Sequence, residues 1–104
     1  MADSLGGHCA KVEDAFTLLS RKWAGLILFA LSSGERRFCE LEIAIPGISA
    51  RLLSQRVREL EAFGLVRRDV RSSSPRSVSY SLSESGQTLA PIVRELAAWA
   101  ERGP

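Results

Sequence analysis

Apolar positions recur at helical spacing through most of this chain and at strand spacing in one short stretch. Val12, Ala15, Phe16 and Leu19 follow the i, i+3, i+4, i+7 pattern of a helix with one apolar side, over about Cys9–Leu19. Ser20-Arg21-Lys22 interrupts that pattern. Trp23 to Leu31 then resumes as a helix apolar nearly all round, which is expected to be buried on most sides as the central core helix. Ser32-Ser33-Gly34 is its stop, and Trp23 reads as a core aromatic rather than a ligand wall. Phe38, Leu41 and Ile45 predict a short amphipathic helix that Pro46-Gly47 ends, because proline cannot extend a helix and glycine tolerates the turn.

Ser49 is suited to cap the next helix, its hydroxyl satisfying a free amide. That helix is predicted over Ala50–Ala62, buries Leu53, Val57 and Leu60, and stops at Gly64. Two strands follow, Leu65–Arg71 and Ser77–Leu82. In the second, Val78, Tyr80 and Leu82 alternate with serines, the period of a half-buried strand. A hairpin this small needs support from the helices. Ser83 caps the last helix, with Glu84 in its first turn where the helix dipole favours an acid. Its long stripe of Leu89, Ile92, Val93, Leu96 and Trp99 or Ala100 exceeds what a small core requires, and Pro91 is expected to kink it. Together with the first helix it offers a surface for a second subunit.

The helix after Ser49 carries the chemistry. Arg51, Ser54, Gln55 and Arg58 gather within about a third of its circumference, away from the apolar side. A solvated face usually mixes Glu and Lys, whereas this one holds guanidinium, amide and hydroxyl groups and no acid. Those are the groups that hydrogen-bond base edges and phosphates. The hairpin tip, with Arg71 and Arg76, would project beside it as a wing able to probe phosphates or the minor groove. The plain alternative is that the wing arginines are solvated. The fold class expected is mainly α with a two-stranded β wing, a winged helix-turn-helix.

Composition narrows the class. With 104 residues, 45% hydrophobic and 25% charged, the chain is an ordinary globular domain near the size at which partners help. The net charge of +2 is uninformative until it is mapped. Residues 36–76 hold nine Arg against five acids, a local +4, while the remainder holds five basic residues against seven acids. All the basic residues of that block are Arg, which favours forked contacts to phosphate or guanine. The start lacks the regions of a signal peptide and no apolar run is long enough to span a bilayer, so a cytoplasmic protein with reduced thiols and no membrane partner is expected. Residues 1–8 are expected to form a disordered tail, and 9–104 a single domain.

Cys9, Lys22-Trp23 with the apolar helix after it, Arg37-Phe38, Glu40-Leu41 and Ile45-Pro46-Gly47-Ile48-Ser49 occur in an order that runs on through the chain. Leu53, Gln55, Arg58-Glu59-Leu60-Glu61, Gly64-Leu65-Val66, Arg68, Pro75, Val78, Tyr80, Leu82, Gly86, Leu89 and Trp99 continue it. In this order and spacing they resemble the HxlR-type family of bacterial winged helix-turn-helix transcriptional regulators. The resemblance implies a homodimer, assembled through terminal helices, that binds operator DNA and represses or activates nearby genes. It also implies a thiol sensor at Cys9, since several members sense oxidants or electrophiles through an N-terminal cysteine. Three positions depart from the family pattern: Ala10 stands where proline is usual, Arg21 where glycine is frequent, and Ser79 where an acid is common. None lies on the recognition helix.

Other functions compete for the same residues. A winged-helix protein-interaction module would turn the arginine face to an acidic partner. An enzyme is disfavoured, because the single histidine, His8, lies in the tail and no Ser-His-Asp set can be assembled. Cys9, Cys39 and one histidine lack the paired spacing of a zinc site, so neither metal nor cofactor is expected. Cys9 sits at the start of a helix near His8 and Lys11, and Cys39 in a first turn after Arg36-Arg37, both settings that favour a thiolate. Cys39 is read as inert. The partners expected are double-stranded DNA, a second copy of the chain and a thiol-reactive small molecule.

Overall fold

The computed structural model describes residues 6–71 and 77–103, with side chains from Ala10 onward. Along the chain run α1 (Gly6–Ser20), α2 (Ala24–Leu31), β1 (Arg36–Arg37), α3 (Phe38–Ala44), α4 (Ala50–Ala62), β2 (Val66–Arg71), β3 (Ser77–Leu82) and α5 (Glu84–Arg102). α4 and β3 have the bounds that local pattern predicts. α1 begins at Gly6, three residues before the expected start. α5 runs through Pro91 as one helix.

The helix ends follow their side chains. Ser49 Oγ accepts the Leu52 amide at 3.1 Å, opening α4. At its other end Gly64 takes a φ of +90°, and the Gly64 and Leu65 amides return to the Glu61 and Leu60 carbonyls at 3.0 Å each. This pairing satisfies carbonyls that a helix end would leave open, and it turns the chain into β2. Ser83 acts twice: its hydroxyl accepts the Gly86 amide at 3.1 Å and donates to the Gly64 carbonyl at 2.6 Å. It thereby ties the start of α5 to the end of α4.

The wing differs from expectation in one respect. The expected two-stranded hairpin is a three-stranded antiparallel sheet in the order β1-β3-β2, with Arg36 opposite Tyr80 and Arg37 opposite Ser79. β3 is therefore central, and Ser79, expected on the solvated face, is buried and hydrogen-bonded to the Glu35 carboxylate. A two-residue strand has no alternation of its own to reveal it.

One core joins Ile27, Leu28 and Leu31 of α2 to Leu41 and Ile45, to Leu53, Val57 and Leu60 of α4, and to Tyr80, Leu82 and Val93. One expectation fails here. α2 is buried on one side only, since Leu26 and Phe29 remain exposed. Within the chain the α1 stripe is also uncovered: Val12, Ala15 and Phe16 are exposed, and Leu18 rather than the full stripe enters the core. Along α5, Ile92, Leu96 and Trp99 are exposed as well. The terminal helices thus carry apolar faces with no intrachain cover, on a molecule 59 × 30 × 22 Å across.

Candidate nucleic-acid interface

α3, the Pro46-Gly47 turn and α4 form a helix-turn-helix, with Gly47 at a φ of +95°. A Cβ at Gly47 would sit 3.7 Å from the Trp23 ring, so the turn packs on the start of α2. Leu53, Val57 and Leu60 hold one side of α4 in the core, each nearly fully buried. The other side presents Arg51, Gln55 and Arg58 to solvent, with Ser54 half-buried among them. Ser49 lies at the helix start, its hydroxyl already serving as the cap.

Among the described residues, the side-chain hydrogen bonds of Gln55 and Arg58 stay within their own helix. Arg58 Nε lies 3.4 Å from the Ser54 carbonyl and Gln55 Nε2 3.4 Å from Glu59, both at the long limit of a hydrogen bond. Glu59 is the acid closest to the face, and its charge is compensated from behind. Arg56 Nη1 stands 3.2 Å from its Oε1, and Arg21 Nη1 3.7 Å from its Oε2. Arg56 also donates from Nε to the Lys22 carbonyl at 2.9 Å. Among the described residues neither Arg51 nor Arg58 is in an ion pair.

Sequence reasoning missed this Arg56–Glu59–Arg21 group. A helical wheel places Arg56 off both the apolar and the polar side, and its partner carbonyl is remote in the chain. The i, i+3 spacing of Arg56 and Glu59 was the available signal; nothing local pointed to Arg21 or Lys22.

Arg71 closes β2 and is exposed, but it is not unpartnered: its guanidinium lies 3.7 Å from Glu35 and 3.8 Å from Asp69. Such exposed pairs are weak and screened, so they leave the arginine available to a phosphate. Arg76 lies outside the described residues. Cys9 is in the first turns of α1, with its side chain outside those described, and Cys39 is a free, exposed thiol on α3. Among the described residues no cluster of His, Cys, Asp and Glu could hold a metal ion, and no helix is long and apolar enough to cross a membrane.

A mainly helical domain with a small antiparallel sheet and an α3–turn–α4 unit beside it is a winged helix-turn-helix. Residues 18–103 match the model of the HxlR-like helix-turn-helix family. The chain belongs to that family, whose curated relatives are named as transcriptional regulators. It is 46% identical over 92 residues to YvaP of Bacillus subtilis, an uncharacterized HTH-type transcriptional regulator, covering 88% of this chain and 85% of that protein. It is 42% identical over 94 residues to the transcriptional regulator YodB of the same organism, covering 90% of this chain and 84% of that protein. The quinone-bound structure of YodB superposes with a TM-score of 0.76 at 40% identity, over 88% of this chain and 96% of that one. The redox regulator HypR in its reduced form superposes with a TM-score of 0.83 at 39% identity, over 88% and 91% of the two chains.

Proposed function

We propose that this protein is a sequence-specific DNA-binding transcriptional regulator that acts as a homodimer on a pseudo-palindromic operator. The observation that carries the reading is the exposed side of α4, where Arg51, Gln55 and Arg58 stand opposite the buried Leu53, Val57 and Leu60. A helix held this way can enter a major groove with its polar side chains against base edges, while wing arginines reach phosphates. Dimerisation is supported by the exposed Val12 and Phe16 of α1 and Ile92, Leu96 and Trp99 of α5. Two copies would space their recognition helices about one helical turn of DNA, or a multiple, apart.

Cys9 is the proposed thiol sensor. It lies early in α1, one of the two helices offered for dimerisation, so an adduct there would alter how the two recognition helices are spaced. The quinone-bound form of YodB and the redox regulator HypR, both similar to this chain, support a thiol-reactive small molecule as the signal.

The test is selection of bound duplexes from random DNA, followed by affinity measurements on the selected operator. Arg58→Ala is expected to cost about 1–3 kcal/mol if its guanidinium forks onto a guanine. Replacing Arg76 weakens all sequences alike and reduces the salt slope. Intact operator affinity in an Arg51→Ala, Arg58→Ala double variant would reject the recognition-helix assignment.

A further inference from the structure

Glu59 ties the polar side of α4 to a distant part of the chain. Helix geometry sets Gln55 and Glu59 one turn apart, within reach of each other. Gln55 is exposed, and its Nε2 lies 3.4 Å from Glu59 Oε2. A pair like this on an open helix surface orders little, because both side chains keep their rotamer freedom. Here one of the two is fixed.

Two arginines hold the Glu59 carboxylate. Arg56 Nη1 lies 3.2 Å from Oε1 and 3.4 Å from Oε2, and Arg21 Nη1 lies 3.7 Å from Oε2. Arg56 is itself anchored, since its Nε donates to the Lys22 carbonyl at 2.9 Å. The Arg56 side chain is 14% exposed and that of Glu59 29%, so solvent screens this pair less than an open surface pair. Arg21 and Lys22 both belong to the turn between α1 and α2. The carboxylate is thus placed beside Gln55 by tertiary contacts.

That placement decides which way the Gln55 amide points. A carboxylate only accepts hydrogen bonds, whereas an amide has a donor nitrogen and an acceptor oxygen on opposite sides of one plane. Nitrogen toward Glu59 meets a charged acceptor, while oxygen toward Glu59 would set two acceptors against each other. The amide therefore turns Nε2 to Glu59 and leaves Oε1 on the far side. Nε2 carries two protons, so one remains after the bond to Glu59. What a partner meets is one acceptor and one donor in a fixed order.

Adenine presents the matching pair in the major groove, the N6 amino donor beside the N7 acceptor. Guanine presents two acceptors there, O6 and N7. A freely turning amide could donate to guanine, but one held by Glu59 would set its oxygen against an acceptor. We propose, on the basis of α4 as the recognition helix, that Glu59 is a positioning residue that makes Gln55 read adenine and reject guanine. Glu59 touches no base, and it acts through the orientation of Gln55.

The test begins with duplexes selected from random DNA by the unmodified protein, Gln55→Ala and Glu59→Gln. Kd is then measured on operators that differ only in adenine or guanine at the position that Gln55→Ala relaxes. Glu59→Gln keeps the side-chain size, but its amide can donate or accept and no longer dictates the direction of Gln55. The unmodified protein is expected to prefer adenine by about tenfold or more, and Glu59→Gln by less than about threefold. Glu59→Met carries the same expectation where Glu59→Gln fails to fold. A merely structural role for Glu59 would weaken both operators alike and leave their ratio unchanged. Proton NMR without DNA reads the amide itself: one Gln55 Nε2 proton is expected downfield in the unmodified protein and in the ordinary range in Glu59→Gln. An unchanged ratio, a base other than adenine, no position relaxed by Gln55→Ala, or Gln55 amide resonances indifferent to the substitution would each overturn the proposal alone. Failure to select any duplex would overturn the DNA reading with it.

Discussion

Arg56 on α4 donates from Nε to the backbone carbonyl of Lys22 at 2.9 Å, across 34 residues of chain. This contact seats the helix-turn-helix on the α1–α2 turn, at the point where Trp23 adopts a φ of +81°. A bulky residue in the left-handed region costs about 1–2 kcal/mol, which the surrounding packing must offset. Trp23 packs against the core, and Lys22 Nζ lies 5.0 Å from its ring centroid.

Arg56→Ala is expected to destabilise the fold by about 1–2 kcal/mol, the lower end for a charge-assisted bond because Lys22 is exposed. It also removes the nearer of the two arginine partners of Glu59, leaving the acid beside Gln55 with Arg21 alone. Operator affinity should therefore fall while the salt slope, set by phosphate contacts, stays unchanged. Urea denaturation and binding at several salt concentrations measure both. A reduced slope would make Arg56 a phosphate contact instead.

Gly86 and Gly64 predict unequal sensitivities. A Cβ on Gly86 would overlap the Leu65 carbonyl oxygen and lie 3.1 Å from Leu82 Cβ, where α5 crosses the start of β2. Gly86→Ala should cost about 3 kcal/mol through overpacking, although alanine is the better helix former. At Gly64 a Cβ would meet open space, so Gly64→Ala pays only for its φ of +90°, about 1–2 kcal/mol. Chemical denaturation of the two variants should preserve that order, and the reverse order would refute the close approach of α5 to β2.

Phe16 and Leu96 test the dimer without touching the core, being 68% and 54% exposed. Phe16→Glu or Leu96→Glu should give monomers in sedimentation with an unchanged helical spectrum, because an unpaired carboxylate is costly to bury in an apolar interface. An unmodified protein that sediments as a monomer would reject the dimer, and a variant that sediments like a dimeric unmodified protein would remove its helix from the interface.

Cys9→Ser tests the thiol signal. Operator binding is measured before and after a quinone or hypochlorite pulse, with Cys39 left in place. The unmodified protein is expected to lose or gain affinity and the variant to remain constant. Equal affinity throughout, with Cys9 shown by mass spectrometry to be modified, would make that thiol a bystander. A response retained in Cys9→Ser would shift attention to the exposed Cys39.

Local rules make much of this fold legible in the amino-acid sequence. The span of α4, its Ser49 cap and Gly64 stop, the bounds of β3 and the Ser83 cap all depend on residues within a few positions of one another. The same periodicity separates Arg51, Ser54, Gln55 and Arg58 from Leu53, Val57 and Leu60, because helix geometry alone puts them on different sides. Only the tertiary structure decides what covers each face. β1 exists through pairing with Tyr80 and Ser79, and Ser79 is buried because that pairing brings Glu35 over it. The apolar stripe of α1 and the full girth of α2 have the pattern of core, yet the chain covers only part of either. An apolar period states that a face avoids water, not which surface will cover it. Arg56 cannot be matched to Lys22 from spacing for the same reason: a contact across 34 residues is set by how helices cross, which no local pattern encodes.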